Sequence, residues 1–256
     1  MIALISPAKT MLAKSVIPIN EKLCSKPYFL EQAQHIVSLM LQYNASELQQ
    51  IFKISYPLAQ DLKFKFTNFL DVNEKAIPAI DSYDGVVYKH FKKETQPTEN
   101  QQNYLQQHLR ISSLLYGILK PLDLIKPYRM EGFVRLAGTD ERVDRYWRDL
   151  QTERLIEDVN NAGGTLLYLA SKEEQNAFHW KEVKKAVRII DFQFLQPKGD
   201  KLKQVVIYTK MARGEMVRYM IDNNITNPEE LKTFEWGGYR YDATTSKENL
   251  WNFVNN

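Results

Sequence analysis

The chain opens with Met1-Ile2-Ala3-Leu4-Ile5-Ser6-Pro7-Ala8-Lys9, and this stretch sets the expected architecture. The four apolar residues Ile2–Ile5 are too few for a helix of usual length and predict a short buried strand. Ser6 and Pro7 stop that strand, because serine is a favoured helix N-cap and proline fits the first helical position. We therefore expect a buried strand that leads directly into a turn or a helix start.

Outward from this strand, apolar spacing and capping signals predict further elements in an irregular order. The predicted helices are residues 28–43, a helix through Ile54 that starts at a Ser46–Gln49 capping box, a helix that runs from a Thr98–Gln101 capping box to Gly117, residues 140–158, and Lys210–Asp222. The predicted strands are residues 85–88, Thr165–Leu169, Ala186–Phe194, Val205–Tyr208 and an edge strand after the turn at Trp236–Tyr239. This order predicts one α+β domain over residues 1–256, with a modest central β-sheet wrapped by many helices.

Composition places the chain among ordinary globular proteins. Of its 256 residues, 44% are hydrophobic and 25% are charged, which argues against global disorder. No apolar run approaches the roughly 18 residues of a membrane span, so no membrane partner is expected. Cys24 is the only cysteine and cannot form an internal disulfide, and the first apolar stretch is too short for a secretory signal. We therefore expect a cytoplasmic protein, and its oligomeric state is left open.

Basic charge is concentrated in two segments of the chain. Residues 101–135 carry five basic and two acidic residues, a net charge of +3, and residues 201–220 carry five basic and one acidic residue, a net charge of +4. Since the whole chain has a net charge of only +3, the remainder is net −4. Either segment alone could be an ordinary solvated helix face. Their segregation, with tyrosines interleaved, favours a surface that binds anions such as phosphates.

Two short motifs carry residues that suit an anion site. Lys9 follows Ser6 by three positions at a possible helix start, where free backbone amides and an ammonium group attract anions. Lys210 and Arg213 are also three apart and can point the same way from one helical turn. Gly214 costs about 1 kcal/mol relative to alanine inside a helix, which indicates close approach of a ligand or another backbone. A surface turn with a packing glycine is the alternative.

A tight apolar turn at Leu115–Asp123 separates two predicted helical segments. Its outline is similar to a helix-hairpin-helix, whose hairpin amides contact DNA phosphates without reading sequence. The turn holds one glycine, Gly117, instead of the usual Gly-hydrophobic-Gly hairpin. A simple corner between helices is therefore the alternative.

The longest distinctive block runs from Gln106 to Glu131, and it resembles the YaaA family of peroxide stress proteins. The opening residues Ile5–Thr10 resemble the start of that family. Shorter similar blocks are Tyr146-Trp147, Leu169-Ala170-Ser171, Tyr208–Gly214, Pro228–Leu231 and Gly238-Tyr239. The resemblance extends from residue 1 to about residue 245, essentially the whole chain.

This resemblance implies a cytoplasmic bacterial protein of the hydrogen-peroxide response, which limits oxidative damage to DNA and protein by lowering unincorporated intracellular iron. It also implies a single α+β domain whose positively charged cleft binds duplex DNA, with a helix-hairpin-helix involved. For the turn and its neighbours, the DNA contacts implied are Arg110, Gly117, Lys120, Lys126 and Arg129. For the cleft, the candidates are Lys9, Lys210 and Arg213. Lys120 stands where the family often has arginine, which keeps the charge but loses the bidentate fork.

An enzyme is the alternative function. Its substrate would be a small phosphorylated or nucleotide-like molecule, and the residues that hold the anion would be Ser6, Lys9, Lys210 and Arg213. Tyr116 or Glu131 would then serve as an acid–base group. Direct iron storage is not predicted, because the four histidines are scattered and no Glu-x-x-His pair occurs. We therefore expect no metal site and no cofactor.

Overall fold

The strand predicted at Ile2–Ile5, β1, lies at the centre of the fold, and all four of its residues are buried. The protein is described here from a computed structural model, in which residues 1–15, 19–92 and 97–255 are described. The strands are β1 (Ile2–Ile5), β2 (Ile77–Pro78), β3 (Leu109–Ser113), β4 (Gly117–Leu119), β5 (Leu124–Ile125), β6 (Thr165–Tyr168), β7 (Arg188–Lys198), β8 (Lys201–Gln204), β9 (Glu235–Trp236), β10 (Tyr239–Tyr241) and β11 (Leu250–Asn255).

Helices surround these strands. The α-helices are α1 (Leu30–Met40), α2 (Ala45–Phe52), α3 (Tyr56–Phe69), α4 (Ala79–Ser82), α5 (Val86–Phe91), α6 (Glu99–His108), α7 (Val143–Tyr146), α8 (Arg148–Asn161), α9 (Trp180–Ala186) and α10 (Val206–Asp222). Short 3-10 helices cover Glu21–Leu23, Lys172–Ala177 and Pro228–Thr233. The predicted combination of strands and helices within one domain is confirmed.

Nine of the strands in the described residues form one mixed sheet, in the order β4-β3-β1-β6-β7-β11-β10-β9, with β8 paired to β7. Strands β3, β1, β6, β7 and β11 are parallel. The chain passes from β1 to β3 on one side and later to β6 on the other. A crevice for ligands is expected where strand order reverses in this way, at the carboxyl ends of β1 and β6. The sheet is larger than predicted, because β3 buries Arg110, Ser112 and Ser113 and so lacks an apolar run.

The predicted helix-hairpin-helix is wrong. Helix α6 ends at His108, and the next residues pair with β1 as strand β3. The turn at Gly117 therefore joins two antiparallel strands, β3 and β4. Gly117 has a positive φ of 72°, and an added Cβ would lie 2.6 Å from Phe29 and 2.9 Å from Trp147. The glycine serves a tight hairpin packed on aromatic rings, and pairing with the buried β1 overrides the helical spacing.

Two predicted strands are helical. Residues 85–88 lead into helix α5, and Val205–Tyr208 lies at the start of helix α10, directly after β8. A short apolar run does not distinguish a strand from a buried helix segment. The two helices pack against each other at Gly214, where an added Cβ would lie 2.3 Å from the Val87 carbonyl oxygen. Gly214 thus marks the approach of another backbone.

Of the two predicted capping boxes, one lies at the expected residues and the other does not. The Thr98–Gln101 capping box of α6 is confirmed. Helix α2 is capped by Asn44 and not by Ser46, because the Glu47 amide donates to the Asn44 side chain and the Asn44 amide donates to the Glu47 carboxylate. The cap therefore lies two residues earlier than predicted, and the register of the helix shifts with it.

Candidate functional site

The carboxyl ends of β1 and β6 are joined by a hydrogen bond. Ser6 follows β1 and Ser171 follows β6, and the Ser171 amide donates to Ser6 Oγ at 2.9 Å. The 3-10 helix Lys172–Ala177 begins at this point. Because a 3-10 helix has three residues per turn, residues three apart lie on the same side of it. Lys172 and Gln175 line a cavity on one side of this helix. Glu174 and Ala177 line a second cavity on the other side. The short helix is thus a wall between two cavities at the carboxyl edge of the sheet.

The larger cavity, here called the Arg213 cavity, has a volume of about 560 Å³. It lies between the carboxyl end of β6, the middle of β7 and the first turns of α10. Its charged lining residues are four cations and one carboxylate, namely Lys172, Lys184, Lys210, Arg213 and Asp191. Such an excess of positive charge makes this cavity an attractive environment for an anion.

Arg213 is the most distinctive residue of this cavity. Its Nε is buried without a hydrogen-bond partner, and so is Oγ1 of Thr209, one turn earlier on α10. Within the described residues, Arg213 forms no hydrogen bond or ion pair, although Tyr168 and Asp191 face it. Burial lowers the pKa of Arg213, and burial raises the pKa of Asp191. A buried polar group normally has a partner, so these two side chains have hydrogen-bonding capacity that the described residues leave unused.

The smaller cavity, here called the Glu174 cavity, has a volume of about 140 Å³. Lys9 lines it, and Lys9 Nζ lies 2.9 Å from Glu131 Oε1. Arg129 Nη2 lies 3.0 Å from the same oxygen. Arg142 and Asp144 form a further ion pair in its wall, at 2.5 Å. The cations of this cavity are thus largely neutralised by carboxylates of the protein itself.

Glu174 lies in the wall of the smaller cavity and is 9% exposed. Ser112 Oγ donates a hydrogen bond to Glu174 Oε2 at 3.0 Å, and the Ser6 hydroxyl also bonds to this carboxyl group. Burial raises the pKa of Glu174 to about 7, while the two serine hydroxyls hold it below the value that burial alone would give. A carboxyl group with a pKa near 7 in a cleft can both accept and donate protons at neutral pH.

The four residues predicted to hold one anion do not line one common cavity. Lys210 and Arg213 line the larger cavity together, as their spacing on one helical turn indicates. Lys9 lines the smaller cavity and binds Glu131. Ser6 connects the two cavities, since it bonds to both Ser171 and Glu174. Glu131, predicted as an acid–base group, is engaged by two cations.

Two predicted site residues are buried away from both cavities. Arg110 is 5% exposed, and its Nε donates to Asp158 at 2.6 Å. Tyr116 is buried, and its hydroxyl accepts a hydrogen bond from the Lys126 amide at 2.9 Å. Burial raises the pKa of Tyr116. Both residues therefore have partners inside the protein, and Arg110 also lines a small third cavity beside Asp158.

The lysines near the hairpin turn also have internal contacts. Lys126 Nζ donates to the carbonyl oxygens of Phe69 at 2.8 Å and Asp71 at 2.5 Å, at the carboxyl end of α3. A cation at this position satisfies free carbonyl groups and interacts favourably with the helix dipole. Lys120 is half-buried and lines a third cavity of about 110 Å³ beside Asp123. The turn therefore presents less free charge than its sequence indicates.

Sequence reasoning missed several residues of the two cavities. The most important are Glu174, Ser112, Ser171, Thr209, Lys172, Lys184 and Asp191. Ser171 lies directly after a predicted strand, and that position was the available signal. Glu174 lies in a mixed-charge segment that does not differ locally from a solvated helix, so its burial follows only from the tertiary structure.

No helix in the described part of the chain is long and apolar enough to cross a membrane. Among residues 1–15, 19–92 and 97–255, no group of three or more His, Cys, Asp or Glu side chains is arranged to hold a metal ion.

Fold and site together define an α/β protein with ligand-sized cavities at the carboxyl edge of a largely parallel sheet. The family profile of peroxide stress protein YaaA matches residues 1–245. A UPF0246 protein of Bacteroides fragilis is 39% identical over 256 residues, which cover 100% of this chain and 98% of the relative. A UPF0246 protein of Parabacteroides distasonis is 40% identical over 255 residues, with 99% of each chain covered. The chain belongs to the YaaA family of peroxide stress proteins, which supports a role in the peroxide stress response.

Proposed function

We propose that this protein acts in the peroxide stress response by binding a small phosphorylated molecule in the Arg213 cavity. The observation that carries the proposal is Arg213 itself, whose Nε is buried without a hydrogen-bond partner in the wall of a cationic cavity. Leaving such a donor unpaired costs about 1–3 kcal/mol, more when it is charged. A phosphate group that accepts hydrogen bonds from Arg213 recovers that cost, because guanidinium and phosphate match in geometry.

The rest of the cavity fits an organic phosphate better than a bare ion. Its volume of about 560 Å³ lies in the range of small-molecule sites, which is about 300–1,000 Å³. Tyr168, Phe192 and Leu250 supply an apolar wall, and Gln193 supplies amide groups that suit the edge of a polar ring. A nucleoside monophosphate combines the two features, a dianionic phosphate and a flat ring.

Equilibrium titration tests this proposal, with AMP and inorganic phosphate as the probes. We expect AMP to bind the wild-type protein, and Arg213→Gln to weaken it at least about tenfold, equivalent to about 1.4 kcal/mol. Lys185→Gln is the matched control, because Lys185 is exposed on α9 next to the cavity residue Lys184 but does not line the cavity. Equal affinity of the Arg213→Gln and wild-type proteins, or no binding of AMP, contradicts the proposal.

Duplex DNA binding is the second candidate, and the exposed β7–β8 hairpin favours it. Lys198, Lys201 and Lys203 are exposed there, and Tyr208 is exposed nearby at the start of α10. Lysines that contact phosphates make affinity fall steeply with salt. We expect the double variant Lys201→Gln and Lys203→Gln to weaken binding and to reduce the salt slope by about two, because each lysine neutralises one phosphate. Lys22→Gln is the control, and binding that does not respond to salt contradicts this candidate.

Lowering of unincorporated iron is a further part of the proposal, and the family resemblance implies it. The test connects it to the Arg213 cavity: chelatable iron is measured by electron paramagnetic resonance in peroxide-stressed cells that lack the gene. Supplying the wild-type gene is expected to lower this iron, and supplying Arg213→Gln is expected not to lower it. If both genes lower the chelatable iron equally, the iron effect does not depend on the Arg213 cavity.

A further inference from the structure

The Arg213 cavity lies at a gap in the main sheet beside β7. Strand β6 pairs with β7 as far as Asp191, and β8 pairs with it from Leu195 onward. Because β11 pairs with β7 at both of these residues, β6 and β8 lie together on the opposite side of β7. Among the described residues, no strand therefore pairs with residues 192–194 on that side. This edge of β7 borders the cavity, and a ligand can reach it there.

Asp191 lies at the start of this gap and supplies the one carboxylate among the charged groups that line the cavity. In the part of the chain that the structure describes, its carboxylate accepts no hydrogen bond and forms no ion pair. The cations that interact with it electrostatically are Lys172, Lys184 and Arg213. The carboxylate oxygens are thus available to accept hydrogen bonds from a ligand.

The net charge of the cavity decides which kind of donor suits Asp191. Four cations and one carboxylate line the cavity, so an ammonium group would meet an excess of positive charge. A hydroxyl group donates a hydrogen bond without adding charge. Two adjacent hydroxyl groups can bond to the two oxygens of one carboxylate, and acidic side chains bind ribose hydroxyl groups in dinucleotide sites. The donor that fits is therefore a sugar.

The position of Asp191 agrees with that of a sugar, which lies between the phosphate and the ring of a nucleotide. On one side, Asp191 interacts electrostatically with Arg213, the proposed phosphate contact. Thr209, one turn before Arg213, is 6% exposed, and its Oγ1 is buried without a partner. On the other side, Gln193 lies two residues along β7, about 7 Å from Asp191 and on the same face of the strand. The order Arg213, Asp191, Gln193 thus matches phosphate, sugar and ring.

We propose that Asp191 accepts hydrogen bonds from the two ring hydroxyl groups of a ribose, so that the Arg213 cavity selects ribonucleotides over deoxyribonucleotides. The inference rests on the proposed function, because it places the sugar of the same phosphorylated ligand. Asp191 acts in specificity, and no covalent bond forms or breaks. Its negative charge near the phosphate also disfavours anions that bring no hydroxyl groups.

Equilibrium titration of the wild-type protein with AMP and dAMP tests the inference without any substitution. These two ligands differ by a single hydroxyl group of the sugar. We expect AMP to bind at least about tenfold more tightly, which is the size expected for a hydrogen bond to a charged group. Equal affinities overturn the inference and leave the proposed function standing. If neither nucleotide binds, the proposed function is wrong and the inference falls with it.

Asp191→Asn distinguishes a sugar contact from a structural role. The variant keeps the shape of the side chain but loses its charge and one acceptor, so the preference for AMP should fall to within about threefold. Affinity for dAMP should not decrease, because a negative charge near the phosphate is removed. Glu182→Gln is the control, since Glu182 is exposed on α9 and does not line the cavity. An unchanged preference in Asp191→Asn, or an equal loss of affinity for both nucleotides, overturns the inference.

Discussion

The Ser171 amide donates a hydrogen bond to the Ser6 hydroxyl across 2.9 Å, and this contact joins the carboxyl ends of β6 and β1. Because strand order reverses between these two strands, the contact lies where open α/β sheets bind ligands. On either side of it, the wall residues belong to cavities of different charge. The Arg213 cavity has an excess of cations, whereas the Glu174 cavity mixes cations with carboxylates that bind them.

Glu174→Gln should change stability in a pH-dependent way. The folded pKa of about 7 is above the ordinary 4.5, so the protonated carboxyl group stabilises the fold below about pH 4.5. This contribution is lost as pH rises through about 7, and its full size is about 3 kcal/mol. The variant does not ionise, so its free energy of unfolding relative to wild type should be higher at pH 8 than at pH 5. Urea unfolding at both values measures this, and a difference independent of pH contradicts it.

Arg110→Gln should lower the free energy of unfolding, because Arg110 has a structural role and is not expected to contact DNA. The Arg110 side chain is 7% exposed and its Nε lies 2.6 Å from Asp158. Breaking a buried ion pair from one side costs about 3 kcal/mol, because it leaves a buried charge with fewer partners. Arg145→Gln, an exposed site on α7, is the control and should change stability by less than about 0.5 kcal/mol. If Arg110→Gln unfolds like the wild-type protein but binds DNA more weakly, Arg110 is a DNA contact and this prediction is wrong.

Gly214→Ala should destabilise the protein although alanine favours helices. An added Cβ would lie 2.3 Å from the Val87 carbonyl oxygen and 2.6 Å from His90 Cβ, so α5 and α10 must move apart. Overpacking of this kind costs about 1–3 kcal/mol, and the gain in helix propensity offsets about 1 kcal/mol. Thermal unfolding measures the net effect, with Lys210→Ala on the same helix as the control. A variant as stable as wild type would mean that the helices adjust without cost.

Sequence alone predicted the parts of the structure that local signals determine. These parts depend on neighbours within one turn or one strand. They are β1, the Thr98–Gln101 cap and the placement of Lys210 and Arg213 in one cavity. The turn at Gly117 was predicted wrongly because the residues before it have helical spacing but pair with β1. Pairing between distant strands is a tertiary effect that local spacing does not encode.

The candidate site was predicted only in part for the same reason. Lys9 and Lys210 have similar local sequence signals, but the Lys9 ammonium is bound to Glu131, more than one hundred residues away in the chain. Arg110 likewise meets Asp158 across the fold. Formal charge can be counted in a sequence, whereas the charge left free for a ligand depends on contacts that form on folding.

A structure of the protein crystallised with AMP tests the central claim most directly. We predict that the phosphate lies in the Arg213 cavity, with its oxygens about 2.7–2.9 Å from the Arg213 guanidinium group. Thr209 and Lys210 should contact the same group, and the ring should lie against the apolar wall. A phosphate bound at Lys9 and Arg129, or an empty Arg213 cavity at a saturating concentration of AMP, would contradict it.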